Sequence, residues 1–149
     1  MRALYYPGMS EIRQLAHIER IPIRWGDMDA MGHVNNTVYF RYMEQARISW
    51  FAALVPESEA WKQTEIVIAN ASCNFKRALV YPGTVEVKLF AGTPGGSSVP
   101  TFYELHLEGD RHLYADGAAT VVFIDMAKQR PMRIPEEMRE RLLRSRVAG

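Results

Sequence analysis

One stretch of helical periodicity, set between segments with strand-like alternation, limits the folds open to this chain more than any other feature. Its apolar side chains recur every three or four positions, at Tyr39, Met43, Ala46, Trp50 and Ala53. Because Pro56 cannot continue a helix, the pattern predicts one long helix from residue 37 to about Leu54. An asparagine or threonine at positions 35 to 37 can cap its first turn.

Segments with the two-residue period of a strand lie on both sides of this helix. One precedes it, with Ile21, Ile23 and Trp25 on its apolar face. The strand segments are 17–25, 64–78, 84–90, 101–109 and 112–125, with a loop at 92–100. Residues 1–15 are expected to be a loose N-terminal segment, and residues 134–146 a short C-terminal helix. This order predicts one α+β domain, 1–149, whose antiparallel sheet of about five strands wraps around the long helix.

Composition excludes several classes of partner. A chain of 149 residues can bury one ordinary core, and its formal net charge of +1 argues against a dedicated nucleic-acid binder. No apolar run approaches the roughly 18 residues that span a bilayer, and the N-terminus lacks a signal-peptide pattern. The lone Cys73 excludes an intramolecular disulfide and a cysteine zinc cluster. We therefore expect a cytoplasmic protein with no nucleic-acid or membrane partner.

The loop before the helix, GDMDAMGHVNN at 26–36, concentrates the polar groups of the chain. An EF-hand that began at Asp27 would need a glutamate at its twelfth position, which is Val38. A zinc site of Asp27, Asp29 and His33 is conceivable, but the other histidines have no paired ligand spacing. We expect no metal. The structural alternative is a simple Asx-type turn before a helix.

A catalytic interpretation follows from the position of this loop at a helix start. The first turn of a helix presents unpaired N–H groups, which can stabilise a carbonyl oxygen that gains negative charge. A nearby carboxylate can attack a carbonyl carbon or act as general base on water. Asp29 lies seven residues before Asn36, so a turn can bring its carboxylate beside the helix start.

The segment WGDMDAMGHVNNTVYFRYMEQAR resembles the signature of the 4-hydroxybenzoyl-CoA thioesterase family, which contains acyl-CoA thioesterases of the hotdog fold. That signature is a D-x-D-x-x-G-H-V-N-N-type loop, a tyrosine and an E-x-A-R helix. The matching residues are Asp27, Asp29, Gly32, His33, Val34, Asn35, Asn36, Tyr39, Glu44, Ala46 and Arg47. The resemblance implies a hotdog fold and hydrolysis of an acyl-CoA. The G-H-V-N-N branch favours fatty acyl groups over aroyl groups.

The resemblance also implies roles for individual residues. Asp29 is the catalytic carboxylate, and the backbone amide of Asn36 polarises the thioester carbonyl. His33 contacts substrate or orders the turn, while Asp27 shapes the loop through backbone hydrogen bonds. The remaining candidates for substrate binding in this segment are Gly32, Val34, Asn35 and Tyr39, of which Tyr39 also fits the core stripe.

Coenzyme A needs cations for its phosphates. Lys76 and Arg77 are candidates because they follow a strand, and Arg130 and Arg133 are alternatives before the last helix. Glu44 and Arg47 are spaced for a surface ion pair. No cofactor is expected, since CoA is part of the substrate. The resemblance further implies a homodimer or homotetramer with active sites at the subunit interface.

Two alternatives and several details remain open at this level. A hotdog hydratase or dehydratase would carry a G-H-F-P or D-x-N-P-x-H motif, and here Val-Asn-Asn follows the histidine. A non-catalytic acyl-CoA-binding module would retain acyl-CoA without releasing CoA. The acyl chain, the carrier (CoA or acyl carrier protein) and the choice between covalent and general-base routes are not encoded in the motif.

Overall fold

The computed structural model describes residues 3–5, 12–55 and 59–145, and within them seven strands form one antiparallel sheet. The strands are β1 (Ala3–Tyr5), β2 (Ile12–Pro22), β3 (Thr64–Phe75), β4 (Thr84–Ala91), β5 (Ser98–Leu107), β6 (Leu113–Asp125) and β7 (Arg130–Pro131). The helices are α1 (Asn36–Leu54), α2 (Glu59–Lys62) and α3 (Glu136–Arg144). The sheet order is β1-β2-β4-β5-β6-β3, with β7 on β6. Five long strands therefore make the sheet, and two short ones extend it.

Helix α1 lies against one face of the sheet and forms the centre of the core. Its buried side chains are Tyr39, Tyr42, Met43, Ala46, Trp50 and Phe51. The alternating residues of the three central strands meet them, at Val85, Val87, Leu89, Val99, Tyr103, Leu105, Ala119, Val121 and Phe123. This packing confirms the α+β architecture and the helical stripe, except that Ala53 is exposed. The helix also begins with an asparagine cap, as predicted, because the Asn35 side chain accepts from the Thr37 N–H.

Strand β6 approaches α1 closely at a glycine. A Cβ atom on Gly117 would lie 2.6 Å from Met43 Sδ and 2.8 Å from the carbonyl oxygen of Ser72. The small residues of β6 thus allow the helix and β3 to pack tightly, as their pattern predicts. No helix in the described ranges is both long and apolar enough to cross a bilayer.

The N-terminal prediction was wrong for the part of residues 1–15 that the structure describes. Residues 3–5 form β1 and β2 begins at Ile12; residues 1, 2 and 6–11 lie outside the described ranges. The register of β2 shifts between Leu15 and His17. The shift turns Leu15 to the outer face, where it packs on Phe90 and Phe102, so the two-residue period is broken.

Two further boundaries differ from the sequence pattern. Trp25 was predicted to be buried but is 73% exposed, because β2 ends at Pro22 and the chain turns into a short 3-10 helix. Strand β5 starts at Ser98 within the predicted 92–100 loop. Pro100 is tolerated there because it lies one residue beyond the last pair with β4, Ala91 with Thr101.

The C-terminal helix α3 closes one end of the core. It spans Glu136–Arg144, whereas the predicted range was 134–146; residue 146 lies outside the described ranges. Met138 and Leu142 are buried under it. Arg141 donates to the carbonyl oxygens of Leu54 (3.0 Å) and Val55 (3.2 Å). These two carbonyl groups lie at the end of α1, where the helix itself has no N–H groups left to donate to them.

Candidate active site

The loop between β2 and α1 is held in shape by its own backbone. Met28 and Val34 form an isolated antiparallel bridge, and the Asp29 N–H donates to the His33 carbonyl (2.9 Å). The Gly32 N–H donates to the Asp29 carbonyl at 3.0 Å. Gly32 has φ +79°, a conformation that a glycine adopts at no steric cost. The loop is therefore a small closed turn that projects Asp29 towards solvent.

Asp27 anchors this loop to the helix. Its carboxylate is buried and accepts hydrogen bonds from the Arg24 N–H (3.0 Å) and the Tyr42 hydroxyl (2.9 Å). Its carbonyl accepts from the Asn35 N–H at 2.9 Å. Burial, followed by the bond to Asp27, raises the pKa of Tyr42 well above its ordinary value of 10.0. The predicted loop-shaping geometry of Asp27 is present, with Tyr42 as a partner that the motif alone did not indicate.

Asp29, in contrast, is exposed and oriented by two donors. Its Oδ1 accepts from the Met31 N–H (2.9 Å), and its Oδ2 accepts from the Asn35 side-chain amide (3.0 Å). Asn35 also accepts, through Oδ1, from the Thr37 N–H (2.9 Å) and hydroxyl (2.6 Å). One asparagine side chain thus ties the carboxylate of Asp29 to the first turn of α1.

The start of α1 supplies an unused donor. Asn36 is the first residue of α1, and its N–H donates to no group among the described residues. Such a donor at the positive end of a 19-residue helix can stabilise a developing oxyanion. Asp29 and this amide are the two parts that acyl transfer requires, a base or nucleophile and an oxyanion donor.

A pocket of about 280 Å³ opens beside Asn36, and Asp29 is not among its lining residues. Its lining includes six of the predicted site residues, namely His33, Val34, Asn36, Tyr39, Lys76 and Arg77. Val34 is only 4% exposed and belongs to the core, so its role in substrate binding stays a prediction. Tyr39 is also largely buried, and its hydroxyl lies between the Arg77 carbonyl and the Leu79 N–H, both at 3.1 Å.

The cations near this pocket come from one of the two predicted pairs. Lys76 Nζ lies 3.7 Å from Asp116, and Arg77 is exposed. Phe75, at the pocket, lies opposite Ala115 of β6. Arg130 lies opposite Asp125, ten residues further along the same strand. At about 3.3 Å per residue this is about 33 Å away, so Arg130 and the adjoining Arg133 are too distant to serve this pocket.

Sequence reasoning missed a second groove, between α1 and the inner face of β3. It has a volume of about 340 Å³ and begins at Thr37, beside the candidate oxyanion donor. Its apolar lining consists of Phe40, Met43, Ile68, Ala71, Ala118 and Ala119. The positions 40, 43 and 47 of α1 share one helix face, a signal that was visible in the sequence.

The charges of this groove also correct a prediction. Glu44 pairs with Arg41, Nη1 to Oε1 3.1 Å, instead of with Arg47. Arg47 is half-buried and donates to the Tyr103 hydroxyl at 3.2 Å. The two side chains diverge because Arg47 turns towards the sheet and Glu44 towards solvent. Burial raises the pKa of Tyr103 above its ordinary value of 10.0, so its hydroxyl stays neutral at physiological pH.

From the sequence, Asp27, Asp29 and His33 are a conceivable set of zinc ligands. Across the described parts of the chain, no group of three His, Cys, Asp or Glu side chains is arranged to hold an ion.

Comparison with known proteins places this architecture and loop in one class, the thioesterases. The model of the thioesterase-like superfamily matches residues 23–142, and the chain belongs to this family and is a thioester hydrolase of hotdog fold. It is 27% identical to the long-chain acyl-CoA thioesterase FadM of Escherichia coli (strain K12), over 83% of this chain and 94% of FadM.

Two solved structures support the same class. The PA2801 protein of Pseudomonas aeruginosa is 38% identical and superposes with a TM-score of 0.77, over 85% of this chain and 98% of that one. A thioesterase from Thermus thermophilus, solved with coenzyme A and Zn, is 29% identical with a TM-score of 0.74, over 87% and 92% of the two chains. The 4-hydroxybenzoyl-CoA branch named by the motif stays a prediction.

Proposed function

We propose that the protein is an acyl-CoA thioesterase that releases a fatty acid and free CoA, with Asp29 as the reacting carboxylate. The observation that carries the proposal is that Asp29, an exposed and oriented carboxylate, is hydrogen-bonded to Asn35, the residue directly before the unused N–H of Asn36. His33 lines the same pocket and is the nearest candidate for a substrate contact. The similarity to FadM, a long-chain acyl-CoA thioesterase, supports the choice of substrate class.

The chemistry can follow either of two balanced routes. In the general-base route, Asp29 takes a proton from water as the water oxygen bonds to the thioester carbon, and the C–S bond then breaks. In the covalent route, the Asp29 oxygen bonds to that carbon and CoA leaves, after which water hydrolyses the mixed anhydride. In both, the thiolate of CoA takes up a proton, and the Asn36 N–H stabilises the negative oxygen.

The proposed site for coenzyme A is the pocket that ends at Lys76 and Arg77. These cations can pair with its phosphates, while the exposed Phe75 supplies apolar surface for the pantetheine arm. Lys76 is partly neutralised by Asp116, so Arg77 is the stronger candidate. Gly32 and Asn35 contribute by shaping the loop. The CoA bound to the Thermus thermophilus thioesterase supports this ligand class.

The active assembly is proposed to be a homodimer or homotetramer that joins along β3. This strand pairs only with β6 among the described strands, so its other edge carries free backbone groups. A twofold axis through two such edges would pair these free backbone groups and continue the sheet. Sedimentation of the purified protein tests this, since a fully active monomer would contradict it.

Thiol release from a panel of acyl-CoAs, short to long and including benzoyl-CoA, tests the reaction. Asp29→Asn keeps the size of the side chain but removes the base, so turnover should fall by about 10²-fold to 10⁴-fold. Glu140→Gln, which removes an exposed carboxylate on α3 at the other end of α1, is the matched control and should keep wild-type turnover.

The outcomes separate the alternatives. A folded Asp29→Asn variant with a near-normal rate would remove Asp29 from the mechanism. Retention of acyl-CoA without thiol release would indicate a binding module, and release only from acyl carrier protein would replace CoA as the carrier. Single turnover in ¹⁸O-water identifies the covalent route if label appears in the Asp29 carboxylate; label in the fatty acid alone fits both the general-base route and attack of water on the acyl carbon of the anhydride.

A further inference from the structure

Arg47 is a cation without a matching anion in the second groove. Its guanidinium is half-buried, and its one side-chain hydrogen bond goes to the neutral hydroxyl of Tyr103. Among the residues that the structure describes, no carboxylate pairs with it. The other charges on the groove, Arg41 and Glu44, neutralise each other at 3.1 Å. The groove therefore has a net positive charge inside an otherwise apolar lining.

Tyr103 holds the arginine in place from below. The Tyr103 hydroxyl is 2.6 Å from Thr101 Oγ1, which donates to the carbonyl of Ala119 at 2.8 Å. Tyr103 and Thr101 are 1% and 0% exposed. This buried chain of hydrogen bonds fixes one N–H of the guanidinium, and the others have no hydrogen bond among the described residues. A fixed guanidinium with free donors is the arrangement that binds a carboxylate by two hydrogen bonds.

The groove runs along α1 from Thr37, the residue after Asn36, to this cation. Thr37, in the first turn of α1, and Arg47 both line it and are ten residues apart. Ten residues of helix are about 15 Å long, and an arginine side chain leans back towards the helix start, so the guanidinium is about 10–15 Å from the first turn. An extended alkyl chain advances about 1.3 Å per carbon, given C–C bonds of about 1.5 Å, so about eight to twelve carbons fill that distance.

We propose that Arg47 is a specificity-determining residue that binds a carboxylate at the far end of the acyl group. The preferred substrates are then medium-chain acyl thioesters with a terminal carboxylate, thioesterified at one end only. This inference rests on the proposed thioesterase function and narrows its substrate class. The apolar side chains of the groove, such as Phe40 and Ile68, bind the methylene chain, and the guanidinium of Arg47 binds the terminal carboxylate.

The test compares two CoA thioesters of equal length, decanoyl-CoA and the mono-CoA thioester of decanedioic acid. For wild type, kcat/KM should be about tenfold or more higher for the dioic substrate, because a guanidinium–carboxylate pair is lost with the plain one. Arg47→Met keeps the stem but removes the cation, so this preference should disappear. Arg47→Lys should retain part of it. Arg20→Met, an exposed arginine on the outer face of β2, is the control and should keep the wild-type ratio.

Each other result overturns the inference in an identifiable way. Equal kcat/KM for the two thioesters in wild type, at every chain length tried, overturns it without any variant. A ratio that Arg47→Met leaves unchanged while the protein dissociates into monomers assigns Arg47 to the subunit interface instead. If wild type hydrolyses neither these thioesters nor any acyl-CoA of the panel, the proposed function fails. Calorimetric binding of free decanedioate, compared with decanoate, then decides the role of Arg47, and equal binding to wild type and Arg47→Met refutes it.

Discussion

Removal of one hydroxyl group, in Tyr42→Phe, tests how the catalytic loop is held. The hydroxyl donates to the buried carboxylate of Asp27 at 2.9 Å, and the side chain of Asp27 is 10% exposed. Phenylalanine fills the same space, so the change isolates the hydrogen bond. A buried bond to a charged group contributes about 1.5–3 kcal/mol. For a chain of this size we expect a fall in Tm of about 4–8 °C for a loss of about 2 kcal/mol.

Tyr39→Phe is the matched control, on the same helix and the same face. Its hydroxyl also bridges buried groups, but both partners are backbone groups of Arg77 and Leu79. Each of these two bonds between neutral groups contributes about 1 kcal/mol, so Tyr39→Phe should lose about 2 kcal/mol as well, but without touching the carboxylate of the loop. Urea unfolding monitored by fluorescence and circular dichroism gives both free energies of unfolding.

The same variants have different consequences for turnover. Because Asp27 and Asp29 share one closed turn, Tyr42→Phe should lower kcat, and a double-mutant cycle with Asp27→Asn should show a coupling energy. The reasoning fails if Tyr42→Phe lowers the free energy of unfolding by less than about 1 kcal/mol, or if the effects of Tyr42→Phe and Asp27→Asn simply add. In that case the carboxylate of Asp27 is held by the Arg24 N–H alone.

Three other predictions concern packing and titration. Gly117→Ala should destabilise the fold by about 1–3 kcal/mol, since its Cβ would meet Met43, whereas Gly96→Ala has open space and should be neutral by the same urea assay. Burial raises the pKa of the Cys73 thiol to about 11, so its alkylation rate should keep rising with pH well beyond 9, and a plateau below that contradicts its burial. Burial also raises the pKa of Tyr103 above 10.0, so the unfolded chain ionises first. The stabilisation is complete below pH 10 and is lost as the pH rises above it, and Tyr103→Phe should flatten that fall in unfolding free energy.

The repeating patterns of the sequence predicted most of the fold because they reflect burial directly. The stripe of α1 and the alternation of β4 and β6 correspond to the core that the structure contains. The failures occur where a local event interrupts the period. The register shift at Leu15 hid the start of β2, and the turn after Pro22 exposed Trp25.

The candidate site divides in the same way. The motif spans one continuous segment, so it located Asp29, Asn36 and the loop that orients them. Contacts between distant segments leave no periodic trace in a single sequence. The partners of Tyr42 and of Arg47 therefore became visible only in the structure, and Glu44 and Arg47 were wrongly paired because spacing along a helix does not show which way each side chain turns.

The reacting groups and the groove are built from different parts of the chain. Asp27, Asp29 and Asn35 are tied to the loop and to α1 alone, whereas one wall of the groove is the exposed-edge strand β3. If the proposed roles hold, substitutions at Ile68 or Ala71 alter which acyl group fits without moving the carboxylate of Asp29. The proposed chemistry and the substrate range would then be separately mutable, and related chains could change substrates through one strand.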